Sequence, residues 1–475
     1  MGNSRINPRY LDPVFLILVI AALFLFKLPQ LSLPCFWDEA WSYLPAILRM
    51  ADAGPSLLPD PQYAELTRGH PLLFYFITSL WIKIFGVSFP ALRTLPLIIS
   101  ALLLTVQFLV SGKHFGRAVA YLSTILLLIQ SVFLAQSSLL LPEMLLALFS
   151  LLTLHAFISG RKKWFLLWGT LLLLTKETGV VLMMLCLLIH LFRFIGDRGR
   201  APFISWIKSS FWLMVPFLII ALFYTAQRLI NGWFFFPEHI SLISFSIGSV
   251  LANLKGYSFF LFLGSGRNLL TFFVIAAALY ILVRKIPLDS AEKKASFIFL
   301  LFLVAYVLSL SFNFYSPRYL LSVLPPFMQV CAFFLVRATG RYKFIRIAAF
   351  LAIFANNIWF TWHQRSDADH NLGYADAVQA HWDLIVYGES LRWQDKPVAT
   401  HFLMRFYLSR PEAGYVQPGR ECLRLSEHIS DSTAFAVISS TEYSPAFREE
   451  INDHQGILLK RFEKNKSWTE VYRVN

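Results

Sequence analysis

Long runs of apolar residues alternate with short polar loops from the N-terminus to about residue 362. The runs recur too often to fill one soluble core, and about 20 mainly apolar residues let a helix cross a bilayer. The pattern therefore predicts a polytopic α-helical membrane domain, residues 1–362, with about eleven transmembrane helices. The predicted spans are Pro13–Leu33, Phe89–Ser111, Ala118–Gln136, Glu143–Ile158, Trp164–Thr175, Gly179–Phe192, Phe211–Ile230, Leu269–Val283, Ala295–Phe312, Tyr319–Val336 and Ile347–Trp362.

The composition and the placement of charge agree with this pattern. The sequence is 57% hydrophobic and 15% charged, whereas a soluble domain carries about 25% charged residues. The net charge of +14 does not indicate nucleic-acid binding, because Lys and Arg cluster in every second loop between spans, as the positive-inside rule describes. These loops predict a cytoplasmic N-terminus, and an odd span count places the C-terminal tail outside. The basic residues concerned are Arg5, Arg9, Lys113, Arg117, Arg161, Lys162, Lys163, Arg193, Arg198, Arg200, Arg284, Lys285, Lys293, Lys294, Arg337, Arg341, Lys343 and Arg346.

The first apolar run is expected to remain in the protein as a span. Leu33 and Pro34 precede Cys35, whereas signal cleavage requires small residues before the cut. A long external loop, residues 34–88, follows the run.

The external segments predict helices that lie in the membrane interface. Tryptophan and leucine at helical spacing predict an amphipathic helix over Asp38–Met50, kinked at Pro45. His70–Phe85 predicts a second apolar helix, which at 16 residues is short for a span and is interpreted as interfacial or re-entrant. The segment Asn231–Arg267 predicts another interfacial helix.

The tail, residues 363–475, differs in composition from the rest of the chain. Charged residues become more frequent and apolar runs become shorter, which predicts a small external α/β domain. The predicted strands are Val398–Thr400, Phe435–Ser439 and Glu470–Val474, and the predicted helices are Asp376–Leu384 and Pro445–Asp453.

The four cysteines predict no metal or redox site. Cys186 and Cys331 fall within predicted spans, where packing is the expected role. Cys35 and Cys422 both lie on the predicted outer side, where a disulfide between them is one option and two unpaired thiols is the expected state.

Two adjacent carboxylates, Asp38 and Glu39, follow the first span and are flanked by Trp37 and Trp41. Acids at a bilayer surface are costly to desolvate, so they usually lie in a cavity and have a function. The alternative is that they cap the interfacial helix, whose N-terminus favours acids. Because neighbouring residues on a helix diverge, the two side chains need not face the same site.

An ordered series of short motifs resembles the GT-C fold glycosyltransferases. More narrowly, it is similar to the bacterial members related to protein O-mannosyltransferases and lipid A aminoarabinose transferases (glycosyltransferase 39-related). Two departures are Pro45, within an otherwise uninterrupted helix, and Glu143, where the family commonly has Asp. The motifs are Trp37-Asp38-Glu39-Ala40, Gly69-His70-Pro71-Leu72-Leu73-Phe74-Tyr75, Leu80-Trp81-Ile82-Lys83-Ile84-Phe85-Gly86, Ala91-Leu92-Arg93, Pro142-Glu143-Met144-Leu145-Leu146-Ala147-Leu148, Leu174-Thr175-Lys176-Glu177, Pro317-Arg318-Tyr319-Leu320-Leu321 and Leu324-Pro325-Pro326.

The resemblance implies an integral membrane inverting glycosyltransferase of the bacterial inner membrane. It would transfer a hexosyl or pentosyl group from a polyprenyl-phosphate carrier to a lipid, glycan or protein acceptor on the extracytoplasmic face. Such chemistry needs a base for the acceptor hydroxyl and cations for the departing phosphate. Asp38 is the predicted catalytic base and Glu39 its supporting acid. Lys176 and Arg318, both at predicted external span ends, are the predicted donor-phosphate ligands.

Further residues are expected to have acceptor-binding or supporting roles, and each has a structural alternative. Glu143 either contacts the acceptor or a metal, or caps its helix after Pro142. His70 is expected to make a structural hydrogen bond rather than bind metal or move a proton. Tyr319 is expected to anchor the chain at the interface. The alternative to phosphate binding by Lys176 and Arg318 is that their side chains snorkel to the lipid headgroups.

No cofactor is evident in the sequence, and metal dependence stays open because carboxylates in such a site could hold a divalent ion. Asp367-Ala368-Asp369-His370 has the spacing of the metal-binding acid pair of nucleotide-sugar transferases. It follows the last predicted span on the outer side, where nucleotide sugars are scarce, so we expect no chemistry from it.

A second functional class must be weighed against the enzyme. A transporter or flippase of lipid-linked sugars also contains internal acids and polar spans, but it would more often have two related halves with matched broken helices. No such internal repeat is present in the sequence.

Overall fold

A computed structural model describes residues 8–196, 203–340 and 342–474. Four of the basic residues used above to orient the spans lie outside these ranges, namely Arg5, Arg198, Arg200 and Arg341.

Helices account for most of the described chain. From residue 8 to residue 231 they are α1 Pro8–Lys27, α2 Leu44–Ala53, α3 Ala64–Thr67, α4 Leu73–Phe85, α5 Phe89–Phe115, α6 Arg117–Leu128, α7 Ser131–Gln136, α8 Glu143–Ile158, α9 Lys162–Thr175, α10 Val180–Gly196 and α11 Phe203–Asn231. They continue as α12 Pro237–Ser241, α13 Ile247–Phe262, α14 Arg267–Val283, α15 Ser290–Leu310, α16 Leu324–Thr339, α17 Lys343–His363, α18 Gly373–Ser390, α19 Phe402–Ser409 and α20 Pro445–Asp453.

The predicted polytopic helical architecture is confirmed. Within the described residues, seven helical stretches are long and apolar enough to cross a membrane by length and composition. They are Leu11–Gln30, Phe89–Phe115, Glu177–Ile195, Ser210–Asn231, Ile247–Val283, Ser290–Leu310 and Lys343–His363. Shorter apolar helices lie between them, at Leu73–Phe85, Arg117–Leu128, Glu143–Ile158 and Leu324–Thr339. The figure of eleven spans stays a prediction.

Two predicted elements have a different internal structure. The predicted span Ala118–Gln136 is broken into α6 and α7, because Gln130 adopts an extended backbone conformation between them. In the predicted interfacial segment Asn231–Arg267, α13 is nearly continuous with α14, and the two helices are separated by a turn in which Ser265 has a φ of 52°.

The helix predicted over Asp38–Met50 begins as a π-helix, Glu39–Tyr43, and continues as α2 from Leu44. Pro45 therefore lies in the first turn of α2, where its missing N–H interrupts no regular α-helical hydrogen bond. Trp37, directly before this helix, has a φ of 48°. The departure from the family pattern at Pro45 is thus accommodated by a change of helix type.

The predicted C-terminal α/β domain is confirmed. It contains a five-stranded sheet in the order β2-β1-β3-β5-β4. Strands β2, β1 and β3 are parallel, whereas β5 is antiparallel to β3 and β4 is antiparallel to β5. The strands are β1 Val398–Thr400, β2 Leu425–Ser426, β3 Phe435–Ser439, β4 Ile457–Lys464 and β5 Ser467–Arg473.

This C-terminal domain packs directly on the start of the loop that follows α1. The Cys35 amide donates to the carbonyl oxygen of Ala413 at 2.9 Å, and the Tyr415 hydroxyl donates to the carbonyl oxygen of Cys35 at 3.0 Å. The Trp37 amide donates to the Tyr407 hydroxyl at 3.1 Å. The domain therefore helps to fix the backbone that carries the two adjacent acids.

Cys35 and Cys422 are both free and buried.

Candidate active site

Glu39 and Arg93 form a buried ion pair beneath the loop that follows α1. Glu39 is 1% exposed, and its carboxylate lies 3.2 and 3.3 Å from the two terminal nitrogens of the Arg93 guanidinium. It also accepts hydrogen bonds from the amides of Phe36 and Leu140, at 2.8 and 2.6 Å. The guanidinium of Arg93 donates further to the carbonyl oxygens of Leu33, Pro34 and Ser138, at 3.0, 2.6 and 2.7 Å. Glu39 thus holds the loop in place, and it faces away from the carboxylate of Asp38.

We expect Glu39→Gln to destabilise the protein by about 3–5 kcal/mol, because it leaves the buried guanidinium of Arg93 without a carboxylate partner. Thermal unfolding in detergent measures the change. Asp52→Asn, which removes an exposed carboxylate of α2, is the matched control and should unfold like the wild type. A Glu39→Gln variant of native stability that has lost turnover would show that Glu39 takes part in the chemistry.

A second charged cluster gathers around the guanidinium of Arg318. Its Nη2 pairs with Oδ2 of Asp38 and its Nη1 pairs with Oδ2 of Asp369. Its Nε lies 3.5 Å from Oε1 of Glu143. Arg318 is 5% exposed, so three carboxylates from distant parts of the sequence surround one buried cation.

Lys176 supplies the second cation of this cluster. Its ammonium nitrogen lies 2.9 Å from Oε1 of Glu143 and 4.2 Å from the ring centre of Tyr319. Burial has the largest single effect and acts against its charge, but Glu143, Tyr319 and Glu177 together outweigh it and hold the pKa of Lys176 above its usual value. We define the Arg318 cluster as Asp38, Glu143, Lys176, Arg318 and Asp369.

Breaks in the helices place both cations in the cluster. Lys176 has an extended backbone directly after the last residue of α9, so the chain turns there before α10 begins. Arg318 lies in the short 3₁₀ turn Pro317–Ser322, which precedes α16. These turns therefore let long basic side chains reach a shared interior position.

Asp38 does not cap the π-helix that follows it, because its side chain makes no hydrogen bond to that helix backbone. Its Oδ1 instead accepts a hydrogen bond from Nε1 of Trp41 at 3.0 Å. The side chains of Asp38 and Asp369 remain 15% and 14% exposed, whereas Glu143 is 2% exposed. The open face of the Arg318 cluster is therefore formed by the two aspartates.

Glu143 begins α8 and is buried. Its side chain faces Lys176 and Arg318. Among the described residues, its Oε2 is buried without a hydrogen-bond partner. A buried acceptor without a partner is costly, so the cluster has capacity to bind a further hydrogen-bond donor.

His70 is placed beside Glu177 rather than in the Arg318 cluster. Its Nδ1 lies 2.8 Å from Oε2 of Glu177, and its ring centre lies 4.8 Å from that of His239. The preceding Gly69 has a φ of 68°, and a Cβ there would lie 2.6 Å from the ring of Trp233. His70 therefore makes the hydrogen bond expected of a structural histidine, in a turn that requires glycine before it.

Asp369 is the residue of the Arg318 cluster that the sequence pattern did not connect with the site. The two aspartates of the Asp367–His370 stretch diverge, since Oδ1 of Asp367 accepts a hydrogen bond from the hydroxyl of Ser467 in β5. Asp367 and Asp369 therefore contact different partners, Ser467 and Arg318. Asp369 nevertheless contacts Arg318, because the tail folds back over the loop that follows α1. The sequence spacing of Asp367 and Asp369 gave no indication of the contact between Asp369 and Arg318.

Within residues 8–196, 203–340 and 342–474, no three His, Cys, Asp or Glu side chains are placed to hold a metal ion together. The carboxylates of the Arg318 cluster are turned toward its two cations.

Part of the chain matches a family model. Residues 69–229 match the model described as dolichyl-phosphate-mannose-protein mannosyltransferase, which is about a third of the sequence. This segment includes Arg93, Glu143 and Lys176. No curated protein sequence is significantly similar to the chain.

Solved structures with the same fold cover nearly the whole chain. ArnT from Cupriavidus metallidurans, in its structure bound to undecaprenyl phosphate, is 14% identical over 98% of each chain, with a TM-score of 0.58. The oligosaccharyltransferase AglB from Archaeoglobus fulgidus, in complex with an inhibitory peptide and a dolichol-phosphate, is 12% identical over 90% of this chain and 69% of its own, with a TM-score of 0.51. The arabinofuranosyltransferase AftD from Mycobacteria is 13% identical over 99% of this chain and 40% of its own, with a TM-score of 0.50. These likenesses establish the GT-C fold predicted from the sequence.

Proposed function

We propose that this GT-C chain is an integral membrane glycosyltransferase that transfers a sugar from a polyprenyl-phosphate carrier to an acceptor on the extracytoplasmic face. The observation that carries the proposal is the Arg318 cluster, in which two buried cations meet a partly exposed aspartate. The matched family model and the shared fold support the same class. ArnT and AglB were captured with undecaprenyl phosphate and a dolichol-phosphate, and we extend a carrier of that kind to this chain.

Lys176 and Arg318 bind the phosphate of the donor in this proposal. The guanidinium offers a planar fork that fits two phosphate oxygens, and the ammonium acts as a compact point charge. Both are fixed in a buried site, where donors aimed at developing negative charge stabilise it without reorganisation. Tyr319 packs against Lys176 and restricts where the ammonium lies. The two cations thus hold the phosphate as it becomes the leaving group.

Asp38 is the proposed catalytic base. Its carboxylate accepts the proton of the acceptor hydroxyl while the acceptor oxygen bonds to the anomeric carbon. The bond between the anomeric carbon and the phosphate oxygen breaks, and its electron pair leaves with the carrier phosphate. The attack occurs opposite to the leaving group, so the anomeric configuration inverts. The hydrogen bond from Trp41 orients the carboxylate for this step.

The remaining residues support these two roles. Glu143 holds the Lys176 ammonium, and its unpaired Oε2 is available to a sugar or acceptor hydroxyl. Glu39 positions Asp38 through the ion pair with Arg93, and His70 fixes Glu177 next to Lys176. The transferred group is proposed to be a hexose or a pentose, and the acceptor a lipid, glycan or protein. The mechanism uses only side chains of this chain, and a divalent ion is not assigned a step.

We further propose that the protein lies in a bacterial inner membrane with its N-terminus in the cytoplasm. The alternation of basic loops supports this orientation and would put Asp38 and the C-terminal domain outside. Single cysteines at positions 162 and 38 can be labelled in intact cells with an impermeant reagent. We expect labelling at position 38 alone, and labelling at position 162 alone would mean an inverted topology.

A transfer assay tests the function itself. The purified protein is reconstituted into vesicles with radiolabelled undecaprenyl-phosphate sugars, both hexoses and pentoses, and a bacterial envelope extract as the acceptor source. We expect label to move into a product that no longer carries the polyprenyl chain. Translocation of intact donor across the vesicle membrane, with no transfer for any sugar, would contradict the proposal and favour a flippase.

A further inference from the structure

Asp369 reaches the Arg318 cluster from outside the membrane bundle. It lies in the non-helical connection between α17, which ends at His363, and α18, which begins at Gly373. Nε2 of Gln136 donates to the carbonyl oxygen of Asp369 at 2.8 Å, and the ring of His370 packs edge-on against Phe260 at 5.3 Å. The connection is therefore seated over the cluster and presents its carboxylate to Nη1 of Arg318.

The charges of the cluster are unfavourable for an anionic ligand. Three carboxylates face two cations, which gives a net charge of −1 when all are ionised. A phosphate on a carrier adds at least one more negative charge, and like charges in a buried site repel strongly. Tight phosphate binding therefore requires that one carboxylate first leave the cations or lose its charge.

Asp369 is the carboxylate best placed to leave. Glu143 is fixed on α8 and bonded to Lys176, and Asp38 is held by Trp41. Asp369 lies at the open edge of the cluster on a connection without regular secondary structure. Burial and the neighbouring charge of Asp38 raise the pKa of Asp369 despite its contact with Arg318. When its carboxylate leaves, two cations face two carboxylates, and the repulsion against a phosphate falls.

We propose that Asp369 competes with the carrier phosphate for Arg318, so that donor binding displaces this carboxylate and loosens the C-terminal domain connection from the cluster. This inference rests on the proposed function, because it assumes that Arg318 binds the phosphate. Asp369 is a positioning residue in this scheme. It binds the Arg318 guanidinium while no phosphate is bound and releases the guanidinium when the phosphate binds.

Direct binding of undecaprenyl phosphate without sugar tests the competition and needs no turnover. Binding is titrated in detergent for the wild type, Asp369→Asn, Asp369→Glu, Asp367→Asn and Arg318→Ala. We expect Asp369→Asn to bind about tenfold more tightly, because removing a competitor raises the fraction of binding-competent protein. Asp369→Glu keeps the negative charge and should stay near the wild type. Asp367→Asn is the matched control, since Asp367 lies two residues away and contacts Ser467.

The outcomes separate this inference from the proposed function. Unchanged or weaker binding by Asp369→Asn, together with weaker binding by Arg318→Ala, would overturn the competition and leave the phosphate site intact. Wild-type affinity in Arg318→Ala, or no saturable binding by the wild type, would overturn the phosphate site and the competition with it. Equal tightening by Asp367→Asn would show that loosening of the connection, not the Asp369 charge, raises the affinity, and would overturn the proposal.

Discussion

Asp38→Asn is expected to lower turnover by at least about 100-fold, because a positioned general base is typically worth about 10²–10⁴-fold in rate. The hydroxyl of an acceptor is too weak an acid to attack unaided near neutral pH. Asn has the same shape and still accepts a hydrogen bond from Trp41, but it cannot take the proton. The measurement is turnover of purified, correctly folded enzyme at saturating donor.

Two controls make the Asp38 result specific. Asp52→Asn removes an exposed carboxylate from α2, in the same connection between α1 and α5, and should keep native turnover. Binding of undecaprenyl phosphate by Asp38→Asn should be retained, because Lys176 and Arg318 remain. Near-native turnover of Asp38→Asn would show that Asp38 is not the base, and the role would then pass to Glu143 or Asp369, which face the same guanidinium.

Lys176→Ala and Arg318→Ala are each expected to weaken donor affinity by about ten- to a hundredfold. The loss of a charge-assisted hydrogen bond to phosphate costs about 1.5–3 kcal/mol. Use of the acceptor should change less, because both cations face the donor phosphate in the proposed mechanism. Titrations of donor at fixed acceptor, and of acceptor at fixed donor, distinguish the two effects.

Arg318→Ala also leaves three carboxylates without their shared cation, so its stability must be measured beside its affinity. Arg318→Lys keeps the positive charge but removes the planar, forked N–H donors of the guanidinium. We expect this variant to fold and to bind donor more weakly than the wild type. Lys83→Ala removes an exposed lysine at the end of α4 and serves as the control for loss of charge alone. Wild-type donor affinity in folded Lys176→Ala and Arg318→Lys would contradict the phosphate assignment.

For the Asp38–Glu39 pair, the sequence alone predicted an acidic site but not the partner of each side chain. Their position after a span predicted a functional acidic site, but adjacent side chains in a helical turn point in different directions. The structure pairs Glu39 with Arg93 beneath the loop and turns Asp38 toward Arg318. Arg93 lay within a family motif, yet no local pattern identified its partner. Which of the two adjacent acids joins the Arg318 cluster was thus decided by the surrounding fold.

Periodicity and charge distribution by themselves determined the helical membrane architecture, the presence of a helix after the first span, and the small C-terminal α/β domain. These features depend on local hydrophobicity and on residue spacing, which the sequence displays directly. The convergence of Asp38, Glu143, Lys176, Arg318 and Asp369 was decided by tertiary structure alone. Asp38 and Arg318 are 280 positions apart, and such contacts arise from helix breaks and from the return of the tail over the loop that follows α1. Asp369 joins the Arg318 cluster through this fold-back of the tail. The sequence could not predict this, because the residues next to either segment do not indicate a contact between distant parts of the chain.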